Sequence, residues 1–521
     1  MKRVTLLCIL VTLLLSGVVF AWEGQGTRLD RSSLPEGWTL ALDFLASPNE
    51  LQMFSNHLGV NVILLRNYVL NTSTGNIQIN FVVTETEAEA QGLYELFLGF
   101  HLPEHVGLHG RRVMEIVTEH QELVDLASAS LRFGPEAVDT PDLIALRKYL
   151  SSWSWPAKDL GTITTQLRSE LARYRVFLVG ESHGMVFNQE LESVLLEFFV
   201  RDGGVRNLLL ELSPSIVGFL REYVETGDEN LLYRAFSTIK GTYFWTKENY
   251  AHWKKVHQLW SALPQGEKIK LIGLDVEHQP LLALQYLQHL LDKVGSSELS
   301  ATKLGVISEI LQGKRSISQS EVDDFLAELL GELHTELVKS ELGELAEEFE
   351  LVLSSLRAGL QLQTIQDSTL WNDYRDQAMY QNFLKQISLD GDEKYFGQWG
   401  LNHVYQSRQD GVEWLASSIT KTQGFEDSVF SMVLVYQDSH YRKNYSYEVL
   451  PFDNYLTGTN ALGEIAQGEP LLVKLDGANS PFTQDLLWKI RGVEPSEGTT
   501  TDYYQYLLFV PGAEASTPLA L

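Results

Sequence analysis

A chain of 521 residues is long enough for two or three domains, and its 44% apolar and 21% charged residues are those of an ordinary globular protein, which excludes a fibrous or largely disordered chain. A formal net charge of −28 repels DNA and anionic membrane surfaces, so nucleic acid is excluded as a partner. The acidity itself is read as a solvated surface.

Lys2 and Arg3 open the chain, the run 4–20 is almost wholly apolar, and the small residues Val19 and Ala21 stand where a signal peptidase reads. Residues 1–21 are therefore read as a secretory signal peptide, in preference to an uncleaved anchor. The mature protein is expected to be exported, to the periplasm or outside the cell. The one cysteine, Cys8, lies within that segment. Cleavage then leaves no disulfide, no thiolate nucleophile and no thiolate-ligated zinc. No later stretch is apolar for long enough to span a bilayer.

Residues 22–138 read as a small α+β domain. Val60 to Tyr68 is rich in β-branched residues, the cluster 71–76 is a turn, and Ile77 to Val83 alternates like a strand, so a hairpin is expected. Glu85 to Gly99 has helical spacing, and Arg112 to Thr118 reads as a further strand. His57, His101, His105 and His109 fall here. The last three recur every fourth residue, but Pro103, Gly107 and Gly110 break any helix that would align them. They are read as solvated loop histidines. No chemistry is visible in this domain, which suits packing or the binding of a protein partner.

Residues 139–169, with Pro141 and Pro156, read as a linker and entry helix. From 170 to 521 strands alternate with helices, the mark of a three-layer α/β fold on a mostly parallel sheet. Strands are expected at 175–180, 205–212, 268–274, 395–403, 429–436, 471–475 and 506–510. Helices are expected at 188–201, from Pro214, and at 412–419. Residues 281–387 are Glu/Leu-rich and read as a helical insertion, with 341–350 as a solvated face.

The strongest local signal is Val179-Gly180-Glu181-Ser182-His183-Gly184, a polar turn between an apolar strand and a helix. In open α/β sheets ligands bind outside the carboxyl ends of the strands. A His beside a carboxylate can transfer protons there, because imidazole titrates near neutrality. Other strand ends behave alike: Glu211 stands at the carboxyl edge of 205–212, Asp275 follows 268–274, and His403 closes Trp399-Gly400-Leu401-Asn402-His403. The turn also matches G-x-S-x-G, the nucleophile elbow, with Asp275 and His403 in triad order. That elbow belongs deep in a sheet behind earlier strands, whereas Ser182 follows the first strand of this region. Ser182 is therefore set aside as a nucleophile.

These motifs, with Leu209-Leu210-Glu211, Gly273-Leu274-Asp275, the run from Asp373 to Asn382 and Gly400 to Val404, follow the motif order of the erythromycin-esterase-like proteins. Residues 170 to 512 resemble that family, within a wider superfamily of ChaN-like haem-binding proteins and TIKI-type metalloproteases. The resemblance implies a hydrolase of an ester, lactone or similar acyl bond in a small-molecule substrate. His183 matches the general base that activates water. Glu181, Glu211 and His403 match groups that orient it, place the water and stabilise the oxyanion. Asp275 and Arg375 are expected to line the substrate site. Many of these esterases have two residues between the Glu and the His; here only Ser182 intervenes, as in the metal-dependent and ChaN-like branches. The macrolide-esterase activity is for that reason not carried over.

Two alternatives use the same residues. A divalent metal ion would be held by Glu181, His183, Glu211 and His403, and a haem-binding protein would need no catalysis. Further polar and aromatic residues rank lower. Trp245, Trp253, Trp260, Tyr243, Phe244 and Tyr250 read as helix-core packing before a substrate pocket. His252 and His257 have no carboxylate at a recognised spacing. Asp438 and His440 read equally as site or loop residues.

Overall fold

The structure, a computed structural model, describes residues 27–520 apart from 30–32, 47, 132, 135–140, 301, 319–320, 388–391, 410, 455–460 and 485–497. The segment read as a signal peptide lies outside the described residues. Among the described residues no helix is long and apolar enough to cross a membrane. The chain divides into two compact units, 1–148 and 149–521.

The first unit is built on β1 (Thr39–Leu45), α1 (Pro48–Leu58), β2 (Val62–Asn71), β3 (Asn76–Thr84), α2 (Glu87–Leu98), β4 (Val106–His109), β5 (Arg112–Val117) and α3 (Gln121–Ser130). Its strands form one antiparallel sheet in the order β1-β2-β3-β5-β4. Alternation along β3 decides what each face buries. Ile77, Ile79 and Phe81 join Leu123, Val124 and Ala127 of α3, while Val82 joins Ala90 and Leu93 of α2. A capping box starts α2, with Thr86 and Glu89 satisfying each other's backbone donors. The expected hairpin is β2–β3. His105 departs from the sequence reading: it is buried, with Nδ1 on the Ile116 carbonyl and Nε2 on Gln121. His101 is paired with Glu115. These histidines satisfy the ends of β5 and α3 rather than sit in solvent.

The second unit holds β6 (Ser154–Pro156), β7 (Val176–Glu181), α4 (Val186–Arg201), β8 (Asn207–Leu210), α5 (Pro214–Thr226), α6 (Lys247–Ala262) and β9 (Lys270–Gly273). The helical stretch follows, including α7 (Pro280–Val294), α8 (Leu345–Leu362) and α9 (Ser368–Gln386). Then come β10 (Tyr395–Gly400), α10 (Leu415–Thr420), β11 (Val429–Gln437), the hairpin β12 (Ser439–Arg442) and β13 (Val449–Phe452), β14 (Leu471–Lys474) and β15 (Tyr506–Pro511). An eight-stranded sheet runs β9-β8-β10-β7-β11-β15-β14-β6. Its first six strands are parallel; β14 is antiparallel to β15 and to β6. The α/β class expected from the sequence holds, with its helical insertion and a separate antiparallel sheet.

Parallel strands covered on both faces read as continuous apolar runs, and β7, β8 and β15 are buried along almost their whole length. An aromatic row crosses the sheet. Phe396 and Phe430 flank Phe177 in register, Phe199 of α4 lies 4.5 Å from Phe177, and Phe430 lies 5.3 Å from Tyr506. Each ring is essentially removed from water, which stabilises the fold by about 2–3 kcal/mol apiece. Two expectations shift. Within 139–169, Ser154–Pro156 is an edge strand of the main sheet, paired with β14. Glu348, in the stretch expected to be solvated, accepts from Tyr286 at 2.5 Å and pairs with Arg221.

Candidate active site

Strand order decides which side chains meet. The chain passes from β7 to β8, leaves a gap between them, and fills it later with β10. The carboxyl ends of β7, β10, β8 and β9 therefore stand side by side, and each is followed by one of the expected polar residues. The sheet also reverses direction here, because β11 enters on the far side of β7, a topological switch point.

Glu181 is the last residue of β7 and is buried. Oε1 of Glu181 lies 2.5 Å from Nδ1 of His183. The His183 side chain keeps 24% of its surface exposed, against 6% for Glu181. Tyr243 and Phe244 stand against its ring at 5.4 and 5.5 Å. They line the site, whereas packing alone was expected of them; Trp245 and Trp253 do lie in the core. The turn is fixed by its neighbours. Asn188 of α4 donates to the Ser182 carbonyl, Tyr436 of β11 donates to Asn188, and the Gly184 carbonyl accepts from Arg442 and Ser516. Gly184 has φ +91°, and a Cβ there would fall 2.6 Å from the Arg442 carbonyl oxygen, so glycine is required.

The other strand ends converge on Arg375, which α9 brings in from the side. Its Nη2 lies 2.9 Å from Glu211 and 2.7 Å from Asp275, and its Nε lies 2.9 Å from Asp275. Glu211 also accepts from the Gly400 amide at 2.7 Å. His403 directs Nδ1 to Asp376 at 2.9 Å and Nε2 to Glu211 at 3.3 Å. Burial opposes charge on His403, but Asp376 and Glu211 outweigh it and push its pKa up to about 10. Its Nε2 also stands 3.2 Å from Nη1 of Arg375, so the imidazole lies between that guanidinium and the Glu211 carboxylate. Burial would raise Glu211, yet His403, Arg375 and His183 hold it well below the usual carboxylate range. Asp275 is lowered despite its burial, by Arg375 and His278. His183 is raised: burial opposes the charge, and Glu181, then Glu211, overcome it.

The two clusters face one another across Gly400. A Cβ at Gly400 would lie 3.3 Å from Nε2 of His183 and 3.3 Å from Oε2 of Glu211. Glu181, His183, Glu211, Asp275, Arg375 and His403 are thus brought to one place. Sequence reasoning passed over Asp376, fully buried between His403 and the Leu415 amide. Its signal was the mid-helix Arg375-Asp376 pair on a helix with no apolar stripe. Ser182 does occupy an interior strand end, contrary to the reason for setting it aside. Among the described residues its side chain makes no hydrogen bond of the kind a nucleophilic serine needs, and Nδ1 of the neighbouring imidazole is turned to Glu181. Asp438 and His440 are exposed and take no part in the cluster.

A divalent ion does not fit this set. The Arg375 guanidinium fills the space between Glu211 and Asp275, and both nitrogens of His403 are engaged. Among the described residues no group of three or more His, Cys, Asp or Glu is arranged to hold a metal ion.

No family model and no curated protein matches the chain. Solved structures do. A protein from Bacillus cereus matches with a TM-score of 0.57 at 16% identity, over 73% of this chain and 100% of that one. A succinoglycan biosynthesis protein matches at 0.58 and 13% identity, over 73% and 100%. A mutant of an erythromycin esterase in its open conformation gives 0.49 at 15% identity, over 70% and 96%. At such identities the first two show a shared fold, and the α/β architecture described above is the one this chain has in common with them.

Proposed function

We propose that this protein is a hydrolase that cleaves an ester, lactone or similar acyl bond with a water activated by His183. One observation carries the reading. Of the site's acid–base groups, Glu211 and Asp275 are engaged by Arg375, and His403 is buried with Nδ1 on Asp376 and Nε2 between Glu211 and Arg375. His183 is left as the basic group, partly exposed, with Nδ1 turned to Glu181 and Nε2 toward the gap beside Gly400. A water in that gap donates one proton to Nε2 and hydrogen-bonds Glu211. As its oxygen attacks the acyl carbon, Glu181 stabilises the imidazolium that forms. The proton then passes to the departing alcohol oxygen. His403 and Arg375 supply positive charge for the developing oxyanion, and Asp275 holds Arg375 in place.

The motif order shared with the erythromycin-esterase-like proteins supports the same assignment of His183. The apolar start at 4–20 supports export of this enzyme. The test is a hydrolysis screen of simple esters and lactones with wild type and His183→Ala. Loss of hydrolysis with an unchanged circular dichroism spectrum supports the reading; an active His183→Ala protein overturns it.

A further inference from the structure

The segment that follows β15 runs between the turn of the base and the aromatic wall beside it. On one side it is bonded to the turn that carries His183. The Val186 amide donates to the Glu514 carbonyl at 2.9 Å, and the Ser516 amide donates to the Gly184 carbonyl at 2.9 Å. On the other side it is bonded to the chain just after Tyr243 and Phe244. The Lys247 amide donates to the Thr517 carbonyl at 2.9 Å, the Leu519 amide to the Trp245 carbonyl at 3.2 Å, and the Thr517 amide to the Glu248 carboxylate at 2.9 Å. Antiparallel bridges at Met185–Ala515 and Thr246–Pro518 give the segment the form of a strap.

Arg442, the last residue of β12, closes this strap on the turn. Its amide is the second donor to the Gly184 carbonyl, at 3.0 Å. Its guanidinium donates through Nε to the Ser516 carbonyl and through Nη1 to the Tyr447 carbonyl. Gly184, Ser516 and Arg442 are thus mutually bonded, and Ser516 is buried. Hydrogen bonds from a charged donor are stronger than neutral ones. The Tyr447 end holds a loop in a conformation that side chains disfavour, since Tyr445 and Tyr447 have φ +59° and +56°. Such residues cluster at active sites and ligand clamps. The loop also reaches the aromatic wall, because the Tyr445 amide donates to the Gly241 carbonyl at 2.6 Å.

His183 lies between two peptide carbonyls that are both held. Asn188 bonds that of Ser182, and the strap with Arg442 bonds that of Gly184. Resting on the reading of His183 as the base, we propose that Arg442 is a positioning residue: by clamping the strap at Ser516 it fixes the peptide after His183 and so keeps the imidazole on Glu181. Without the clamp the strap loosens from the Gly184 carbonyl, the ring is free to swing, and the base meets its water less often in the productive geometry.

The test uses the whole protein with Arg442→Met, which keeps the stem and removes the donors, and Arg442→Lys, which keeps the charge but reaches one carbonyl at a time. Amide hydrogen exchange at Val186 and Ser516, the His183 titration by NMR of its Hε1 resonance, and ester hydrolysis are measured. In wild type both amides are expected to be protected like those of the neighbouring sheet. Arg442→Met is expected to speed their exchange by about tenfold, to lower kcat by about tenfold, and to lower the His183 midpoint toward 6.5 as the ring leaves Glu181. The groups that set that midpoint, Glu181, Glu211 and His403, are intact in both variants, so its movement reports orientation. Arg442→Lys is expected to show the same changes to a smaller extent, and it decides the matter if Arg442→Met does not fold. A role in stability alone lowers the thermal midpoint and leaves kcat and the His183 midpoint unchanged; that result in a folded variant overturns the proposal, as does free exchange of the Ser516 amide in wild type. Should exchange and the His183 midpoint move as expected in a protein that hydrolyses no ester, the hydrolase reading fails and the clamp stands.

Discussion

Nε2 of His183 and Oε2 of Glu211 lie 3.3 Å from one common point above Gly400, although they leave from the ends of two strands that are not neighbours in the sheet. The strand between them, β10, ends in that glycine. A residue with no side chain there lets the base and the fixed acceptor approach one another over the strand end. The consequences for activity follow from how each group is held.

Removing the base should cost most. His183→Ala is expected to lower kcat by about 10²–10⁴-fold, the usual contribution of a positioned general base. Glu181→Gln should cost less, because an amide still bonds Nδ1 but cannot stabilise the imidazolium. Parallel rate measurements check the order. A Glu181→Gln enzyme slower than His183→Ala contradicts it.

The pH–rate profile has a sign that the charges dictate. His183 must be neutral to take a proton, and its pKa is raised above the usual imidazole value by Glu181 after burial is overcome. Activity should therefore rise with pH along a limb whose midpoint lies above the imidazole value of 6.5. Glu181→Gln removes the largest raising influence and should move that midpoint down. A limb centred in the carboxylate range points to a different base.

Much of this site is legible in the sequence, because strands buried on both faces read as apolar runs and their last residues are the exceptions. Glu181, Glu211 and Asp275 stand out in that way. What local pattern does not encode is strand order. That β10 enters between β8 and β7 is a property of the whole sheet, and it alone brings His403 and Gly400 to His183. Asp376 is hidden for another reason: a charged residue in mid-helix reads as surface, and only the fold shows that this face of α9 turns inward. Ser154–Pro156 is too short to show strand periodicity, so its place on the sheet edge is set by β14.

Stability should fall off on both sides of neutrality, by different groups. His403 is raised to about 10 when folded, so the stability it contributes is fully present below its unfolded value near 6.5 and is lost as pH rises through 10. Glu211 and Asp275 are lowered, so theirs is present above the ordinary carboxylate range and is lost as pH falls through the depressed values. Urea midpoints across pH 3 to 11 should form a dome. His403→Gln should flatten the alkaline side and leave the acid side in place. An unchanged alkaline fall in that variant contradicts the assignment.

Arg375 ties three strand ends together, and breaking it should destabilise the domain as well as stop the reaction. Arg375→Met takes the guanidinium away from two buried carboxylates, leaving Glu211 to His403 and the Gly400 amide and Asp275 to His278 and the Val276 amide, at a cost of up to about 3–5 kcal/mol. Restoring neutrality with Asp275→Asn in the same chain should recover part of that loss, since one stranded charge is removed. Thermal unfolding of the single and double variants provides the comparison, and a double variant no more stable than Arg375→Met refutes the coupling.

Gly400→Ala separates the gap from the groups that flank it. The backbone at Gly400 has φ −53° and ψ 140°, an extended conformation open to any residue, so alanine brings no strain of its own. Its methyl group, however, would sit 3.3 Å from both His183 and Glu211 and crowd the two groups between which the attacking water is proposed to bind. The variant should fold with a thermal midpoint close to wild type and lose at least about tenfold in kcat, because the nucleophile is excluded while every acid–base group is kept. Full activity in a folded Gly400→Ala protein would place the water elsewhere, and with it the face of His183 on which the reaction occurs.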